Sequence, residues 1–171
     1  MDGCGGFLLL TGGPWSVGGW SQGPKADVCV RADWPRRAGM IQRSGEDYFW
    51  IDEKKPRRSE LIQSGKTLPV QGSAVMTLRK PSPLSNSAVL ALQAPHRFDD
   101  HIDAVVLAGD TVLIGPSDDC HIAYRGIPNR VIVMRKDDCW LAKEGSNGDF
   151  QRLLPGERMM LENLAITLEK A

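Results

Sequence analysis

The sequence lacks an excess of charge of either sign: 21 lysines and arginines stand against 21 aspartates and glutamates in 171 residues. A chain so balanced has no broad electrostatic field with which to hold DNA, RNA or an anionic membrane surface, so neither nucleic acid nor membrane is an expected partner. Long hydrophobic runs are absent too. The plainest apolar stretches, 7–10 and 131–134, span four residues each, where a transmembrane helix needs roughly twenty. The opening Met-Asp-Gly-Cys-Gly-Gly has neither a basic region nor an extended apolar core, which argues against a signal peptide and makes cytoplasmic the default location. Cys4, Cys29, Cys120 and Cys139 show no Cys-x-x-Cys spacing, and three of them lie in or beside apolar runs. They read as small core side chains rather than as disulfides or metal ligands.

What the chain has in abundance is punctuation. Its 18 glycines and 11 prolines interrupt it too often for long helices, so short strands and turns lead. It also repeats itself. Val17-Gly18-Gly19 resembles Ile114-Gly115-Pro116 at a separation of 97 residues, Asp27-Val28 resembles His121-Ile122 at 94, and Trp34-Pro35-Arg36-Arg37 resembles Ile127-Pro128-Asn129-Arg130 at 93. Arg43 then pairs with Arg135 at 92, Phe49 with Trp140 and Gly65 with Gly156 at 91, and Thr77-Leu78 with Thr167-Leu168 at 90. An offset that drifts in one direction by small steps is what loop deletions in a duplicated unit produce.

The repeat decides one local ambiguity. Residues 157–170 alone fit a helix, with Met160, Leu164 and Leu168 on one face, but the matching stretch of the first copy contains Pro69 and Gly72. A proline and a glycine inside a helix cost about 3 and 1 kcal/mol relative to alanine, so strands are expected in both copies. The same test along the chain predicts strands at 7–10, 14–17, 27–30, 38–43, 48–51, 67–70, 74–79, 88–92, 104–107, 111–114, 121–124, 131–135, 140–143, 158–161 and 164–169. Short strands at such intervals predict an all-β fold of two antiparallel β-sandwich units. The Pro-Ser-Pro-Leu-Ser-Asn-Ser segment from Pro81 marks the break. The division is a first unit at 1–80, a linker with an additional strand at 81–101, and a second unit at 102–171.

In the order of these elements the chain resembles the forkhead-associated (FHA) domain, whose signature reads Gly-Arg, then Ser-Arg-x-His, then Asn-Gly along an antiparallel sandwich. The tandem arrangement, with Pro83-Leu84-Ser85, His96-Arg97 and the run from Ile102 to Leu107, is similar to a bacterial group of FHA-domain proteins. The resemblance implies a cytoplasmic signalling module that holds a phosphothreonine peptide on the loops at one end. The matched positions depart from that pattern. In the first copy the family arginine falls at Gly19, the serine at Pro35 and the histidine at Ala38, while Arg36 matches and the Asn-Gly loop is replaced by Lys54-Lys55-Pro56-Arg57-Arg58. In the second copy they fall at Pro116, Pro128 and Val131, and Asn147-Gly148 matches. Each missing charge-assisted bond is worth about 1.5–3 kcal/mol, so ordinary phosphothreonine affinity should fall by orders of magnitude.

The expected ligand-binding residues are therefore Arg36, Arg37, Lys54, Lys55, Arg57, Arg58 and Asn147, either as a cationic surface for phosphate or an acidic peptide, or as solvated loop and turn residues. No nucleophile stands beside a base in the sequence, no glycine-rich loop leads into a helix, and His96, His101 and His121 show no metal-ligand spacing. The expectation is no catalytic residues, no metal and no cofactor. Trp50 and Trp140 lie on strands and are expected in the core; Trp20 and Trp34 lie in turns and are the surface candidates. The leading function is a phosphate-independent protein-interaction module that is not an enzyme. A residual binder of phosphopeptides or acidic ligands is the alternative, the partner is a protein or phosphoprotein, and self-association is allowed.

Overall fold

The computed structural model describes residues 1, 5–161 and 163–169; Cys4 lies outside them. The chain is all-β. Its strands are β1 (Phe7–Leu10), β2 (Trp15–Gly19), β3 (Val28–Val30), β4 (Gly39–Ser44), β5 (Asp47–Asp52), β6 (Ser59–Leu61), β7 (Met76–Arg79) and β8 (Ala88–Leu92). After a 3-10 turn at Asp99–His101 come β9 (Ala104–Leu107), β10 (Thr111–Gly115), β11 (Ile122–Ala123), β12 (Val131–Lys136), β13 (Cys139–Glu144), β14 (Gln151–Leu153), β15 (Arg158–Leu161) and β16 (Leu164–Thr167). The stretch that fits a helix in isolation is the antiparallel pair β15–β16.

Contacts divide the chain into two compact units that interleave in sequence. One holds Gly6–Lys80 and Ala88–Leu107; the other holds Met1–Gly5, Pro81–Ser87 and Ala108–Ala171. Composition draws boundaries after 80 and 101, whereas strand pairing groups β8 and β9 with β7, in a four-stranded sheet of order β1-β9-β8-β7.

In the unit built on Gly6–Lys80, a five-stranded sheet of order β3-β2-β4-β5-β6 shares one core with the four-stranded sheet. Trp15, Val17, Ile41, Tyr48 and Trp50 come from the five-stranded sheet, and Met76, Leu78, Leu90, Val105 and Leu107 from the other. Alternation explains the choice, since residues two apart on a strand share a face; in β8 and β9 the opposite face is covered too, with Val89 and Val106 buried. Trp15 stacks on Tyr48 with centroids 6.4 Å apart. The Tyr48 hydroxyl donates to the Leu107 carbonyl at 3.4 Å, and burial pushes the phenol pKa up to about 12.

The other unit contains a five-stranded sheet with the same neighbour pattern, β11-β10-β12-β13-β14, and the two-stranded β15–β16 sheet. Hydrogen bonding repeats along with it. Val17 pairs with Val28 in parallel as Ile114 does with Ile122. The Gly65 N–H donates to the Leu78 carbonyl at 2.8 Å, as Gly156 does to Leu168 at 2.8 Å, and both glycines have left-handed φ, 80° and 81°.

Pairing also corrects details. Arg43 lies opposite Tyr48, and Arg135 opposite Trp140, so the partner of Trp140 in the repeat is Tyr48 rather than Phe49. A one-residue slip would put the aromatic ring on the other face. The sheets are mixed rather than purely antiparallel, because β1–β9, β2–β3 and β10–β11 run parallel. The strand expected at 67–70 reduces to a single bridge, Thr67 with Thr77. β6 and β14, which occupy matching sheet edges, escaped the sequence pattern because Ser-Glu-Leu and Gln-Arg-Leu are too short and polar to show alternation.

Candidate functional site

The topology collects three loops at one end of the five-stranded sheet in the unit built on Gly6–Lys80. β2 and β3 run parallel, so residues after Gly19 and after Val30 leave at the same end; Gly39 opens β4 opposite Asp52, where β5 closes. Main-chain bonds fasten the loops: Gly19 N–H to the Pro35 carbonyl at 2.8 Å, Trp20 N–H to Val30 at 2.8 Å, Ala38 N–H to Val17 at 2.9 Å and Glu53 N–H to Ala38 at 3.2 Å. The Gly18-Gly19 pair is a steric necessity. A Cβ on Gly18 would overlap the Arg36 carbonyl, and one on Gly19 would overlap the Trp34 carbonyl.

Arg36, Arg37, Lys54, Lys55, Arg57 and Arg58 all belong to these loops and are exposed. Arg36 braces the 20–27 loop, its Nη2 donating to the Pro24 carbonyl at 3.3 Å. Arg58 pairs with Glu60 at 3.2 Å. The 53–58 turn is shaped by Asp52, whose Oδ1 accepts the Lys54 N–H at 2.8 Å and whose carbonyl accepts the Lys55 N–H at 3.0 Å. Arg37, Lys54, Lys55 and Arg57 make no ion pair among the described residues. Asn147 is not part of this cluster: it is an exposed residue between β13 and β14 of the other unit. The left-handed φ of that loop falls on Gly145 (63°) rather than on the Asn147-Gly148 pair.

Two features at this end were not legible in the sequence. The first is a buried carboxylate. Asp99, in the 3-10 turn, is 3% exposed and sits 2.6 Å from Lys25 Nζ and 2.8 Å from Arg31 Nε. Lys25 also reaches Asp100 at 3.2 Å. The Lys25 ammonium above all, with Arg31, holds the Asp99 carboxyl below its ordinary range against the opposing effect of burial, and Asp99 in turn raises Lys25. The depressed carboxylate contributes stability that is complete above its unfolded pKa, about 3.9, and is lost as pH falls through the lower folded value. The denaturation midpoint should therefore decline on acidification below about pH 4. Asp99→Asn should lower the midpoint at neutral pH and make that decline shallower, as urea titrations across pH would show.

The second is a latch of three loops. Ser73 Oγ donates to Asp33 Oδ1 at 2.5 Å, the Ser73 N–H donates to the same oxygen at 2.7 Å, and His96 Nε2 lies 3.0 Å from Ser73 Oγ. The Ser73 bonds hold Asp33 below its ordinary pKa. With its one proton donated to Asp33, the Ser73 hydroxyl is left to accept from His96 Nε2.

The tryptophans divide differently from the sequence expectation. Trp20 is 52% exposed and, with Arg31 and Ala32, lines a shallow open hollow of about 320 Å³. Trp34, expected at the surface, is buried, because the 31–38 loop folds inward and its indole N–H donates to the Ala74 carbonyl at 3.2 Å. Trp50 is buried and Trp140 half-buried. Cys29 and Cys120 are buried, Cys139 partly so. Among the described residues no helix is long and apolar enough to cross a membrane, and no group of three or more histidine, cysteine or acidic side chains is arranged to hold a metal. No protein-family model, curated protein or solved structure matches the chain.

Proposed function

We propose that this chain is a non-enzymatic protein-interaction module of FHA-like type, in which the loop end around Trp20, Arg37 and the 53–58 turn meets a protein partner without requiring phosphate. The observation that carries this reading is the crossing of the 34–36 main chain over Gly18 and Gly19. The family arginine position is Gly19, where a Cβ would overlap the Trp34 carbonyl, and the serine position is Pro35, which has no hydroxyl. A side chain at position 19 has no room beside the Trp34 carbonyl and Pro35 offers no hydroxyl, which supports a reading without these two phosphate contacts. An exposed tryptophan beside a shallow hollow is the kind of anchor that protein interfaces favour.

A second reading is supported by the unpaired Arg37, Lys54, Lys55 and Arg57 at one sheet end: a phosphopeptide or acidic segment held mainly by Coulomb attraction. One experiment separates the two. Binding to a degenerate phosphothreonine peptide library is compared with its unphosphorylated twin, at low and physiological salt, with Arg37→Glu as control. The first reading predicts equal retention of both libraries. Selective retention of the phosphorylated library, lost in Arg37→Glu, would replace it with the second.

A further inference from the structure

The hollow beside Trp20 is lined by Trp20, Arg31 and Ala32 and has a volume of about 320 Å³. Its main chain is fastened by the fold. The Trp20 and Ala32 N–H groups both donate to the Val30 carbonyl, at 2.8 and 3.0 Å, and the Arg31 N–H donates to the Arg97 carbonyl at 3.0 Å. The Arg31 side chain is held at one point: its Nε donates to Asp99 Oδ1 at 2.8 Å, and Asp99 is 3% exposed.

A guanidinium carries about five N–H donors in a planar fork, and Nε is one of them. Those on Nη1 and Nη2 of Arg31 have no partner among the described residues, and the side chain is 58% exposed. The neighbouring acids are engaged elsewhere. Asp99 is shared between Arg31 and Lys25 Nζ at 2.6 Å, Asp100 pairs with Lys25 at 3.2 Å, and Asp33 accepts from both the hydroxyl and the main-chain N–H of Ser73. An oriented cation with an unfilled fork thus stands beside an indole that is 52% exposed.

We propose that this hollow takes the C-terminal residue of the protein partner, with its apolar side chain on the Trp20 indole and its carboxylate on the two Nη groups of Arg31. The inference rests on the reading of this loop end as a protein-docking surface. A carboxylate matches the fork in plane and in charge, whereas a dianionic phosphate would bring a second negative charge in among Asp33, Asp99 and Asp100. The occupant is the end of a chain rather than an internal stretch because all three lining residues have already committed their main-chain N–H groups. A backbone running through the hollow finds no main-chain donor for its carbonyls. One terminal residue supplies both the apolar group and the anion.

Heteronuclear NMR of the isotope-labelled full chain tests this. The Trp20 indole and Ala32 amide signals are followed while N-acetylglycyl-leucine, its C-terminal amide or inorganic phosphate is added. The acid should shift both signals saturably, with the millimolar affinity that so few contacts support. The amide lacks the charge and should bind at least about tenfold more weakly. Phosphate should neither reproduce the shifts nor displace the dipeptide. Followed through Ala32, Trp20→Ala should weaken binding by about tenfold. Arg31→Lys keeps a cation on Asp99, which preserves the fold, but removes the fork, and should weaken binding several-fold. Absence of saturable shifts with the acid, equal binding of acid and amide, displacement by phosphate, or indifference to either substitution would each overturn the assignment. Retention of the unphosphorylated library by the same protein then separates the two levels: with it, only the occupant of the hollow is wrong; without it, the docking reading falls as well.

Discussion

Replacing Trp50 by alanine is expected to destabilise the protein by about 3–5 kcal/mol, the range for removing a fully packed large aromatic side chain. Trp50 is 2% exposed and belongs to the core cluster that both sheets share. Across the β4–β5 ladder, its ring occupies the space a side chain at position 39 would need: a Cβ on Gly39 would come within 2.5 Å of Trp50 Cζ2. Gly39, opposite in the ladder, has no side chain to extend into the void. The indole N–H is buried without a hydrogen-bond partner among the described residues, so the contribution of the ring is packing. Trp50→Phe, which refills most of the volume and strands no polar group, should therefore cost much less than Trp50→Ala. Urea unfolding of both variants checks the pair. Equal losses would mean that the site depends on the indole for something other than volume.

Reversing the charge of Arg37, Lys54, Lys55 and Arg57 together, each to glutamate, should have the largest effect on binding if an acidic segment is the ligand. Exposed ion pairs contribute about 0.5–1 kcal/mol each, so losing four such contacts weakens binding by about a hundredfold at low salt, and by less at physiological salt, where screening sets in within about 8 Å. Fluorescence anisotropy with a labelled glutamate-rich peptide at two salt concentrations measures this. The four side chains are exposed and make no ion pair among the described residues, so the fold should tolerate the change. Binding that is insensitive to both the reversal and salt would remove the acidic-ligand reading and leave docking through the apolar surface near Trp20. Arg36 and Arg58 are left out deliberately, since one braces the Pro24 loop and the other is paired with Glu60.

Much of the strand plan was legible because its signals are local. Alternation over four or five residues and turns set by glycine and proline located 88–92, 104–107 and 158–161 to the residue. The repeat was legible for the same reason: equivalent turns need equivalent glycines, as Gly65 and Gly156 show with their matching left-handed φ and matching bonds to Leu78 and Leu168. Where the local signal was thin, reading failed. β6 and β14 carry three residues each with little apolar alternation, and the Tyr48–Trp140 equivalence needed the hairpin register rather than a match of residue types.

The basic loop could be read from composition, but its position beside Arg37 depended on the parallel β2–β3 pair and on Gly39 lying opposite Asp52. Trp34 lies in a turn, which favours exposure, yet it is buried; its burial depends on the Ala74 carbonyl, 40 residues away. The Asp99 ion pairs were invisible to any local pattern, since Arg31 lies 68 residues away in sequence.

The sequence by itself determined that this chain is all-β and internally duplicated, since strand period, turn chemistry and repeat spacing are written within a few residues of each position. Only the tertiary structure decided which strands are neighbours. It joined β8 and β9 to β7, set β1 beside β9, buried Asp99 between two cations and closed the 34–36 backbone over Gly18 and Gly19. Such choices are fixed by burial and hydrogen bonding summed over segments far apart in the chain, and no short stretch of residues contains that sum.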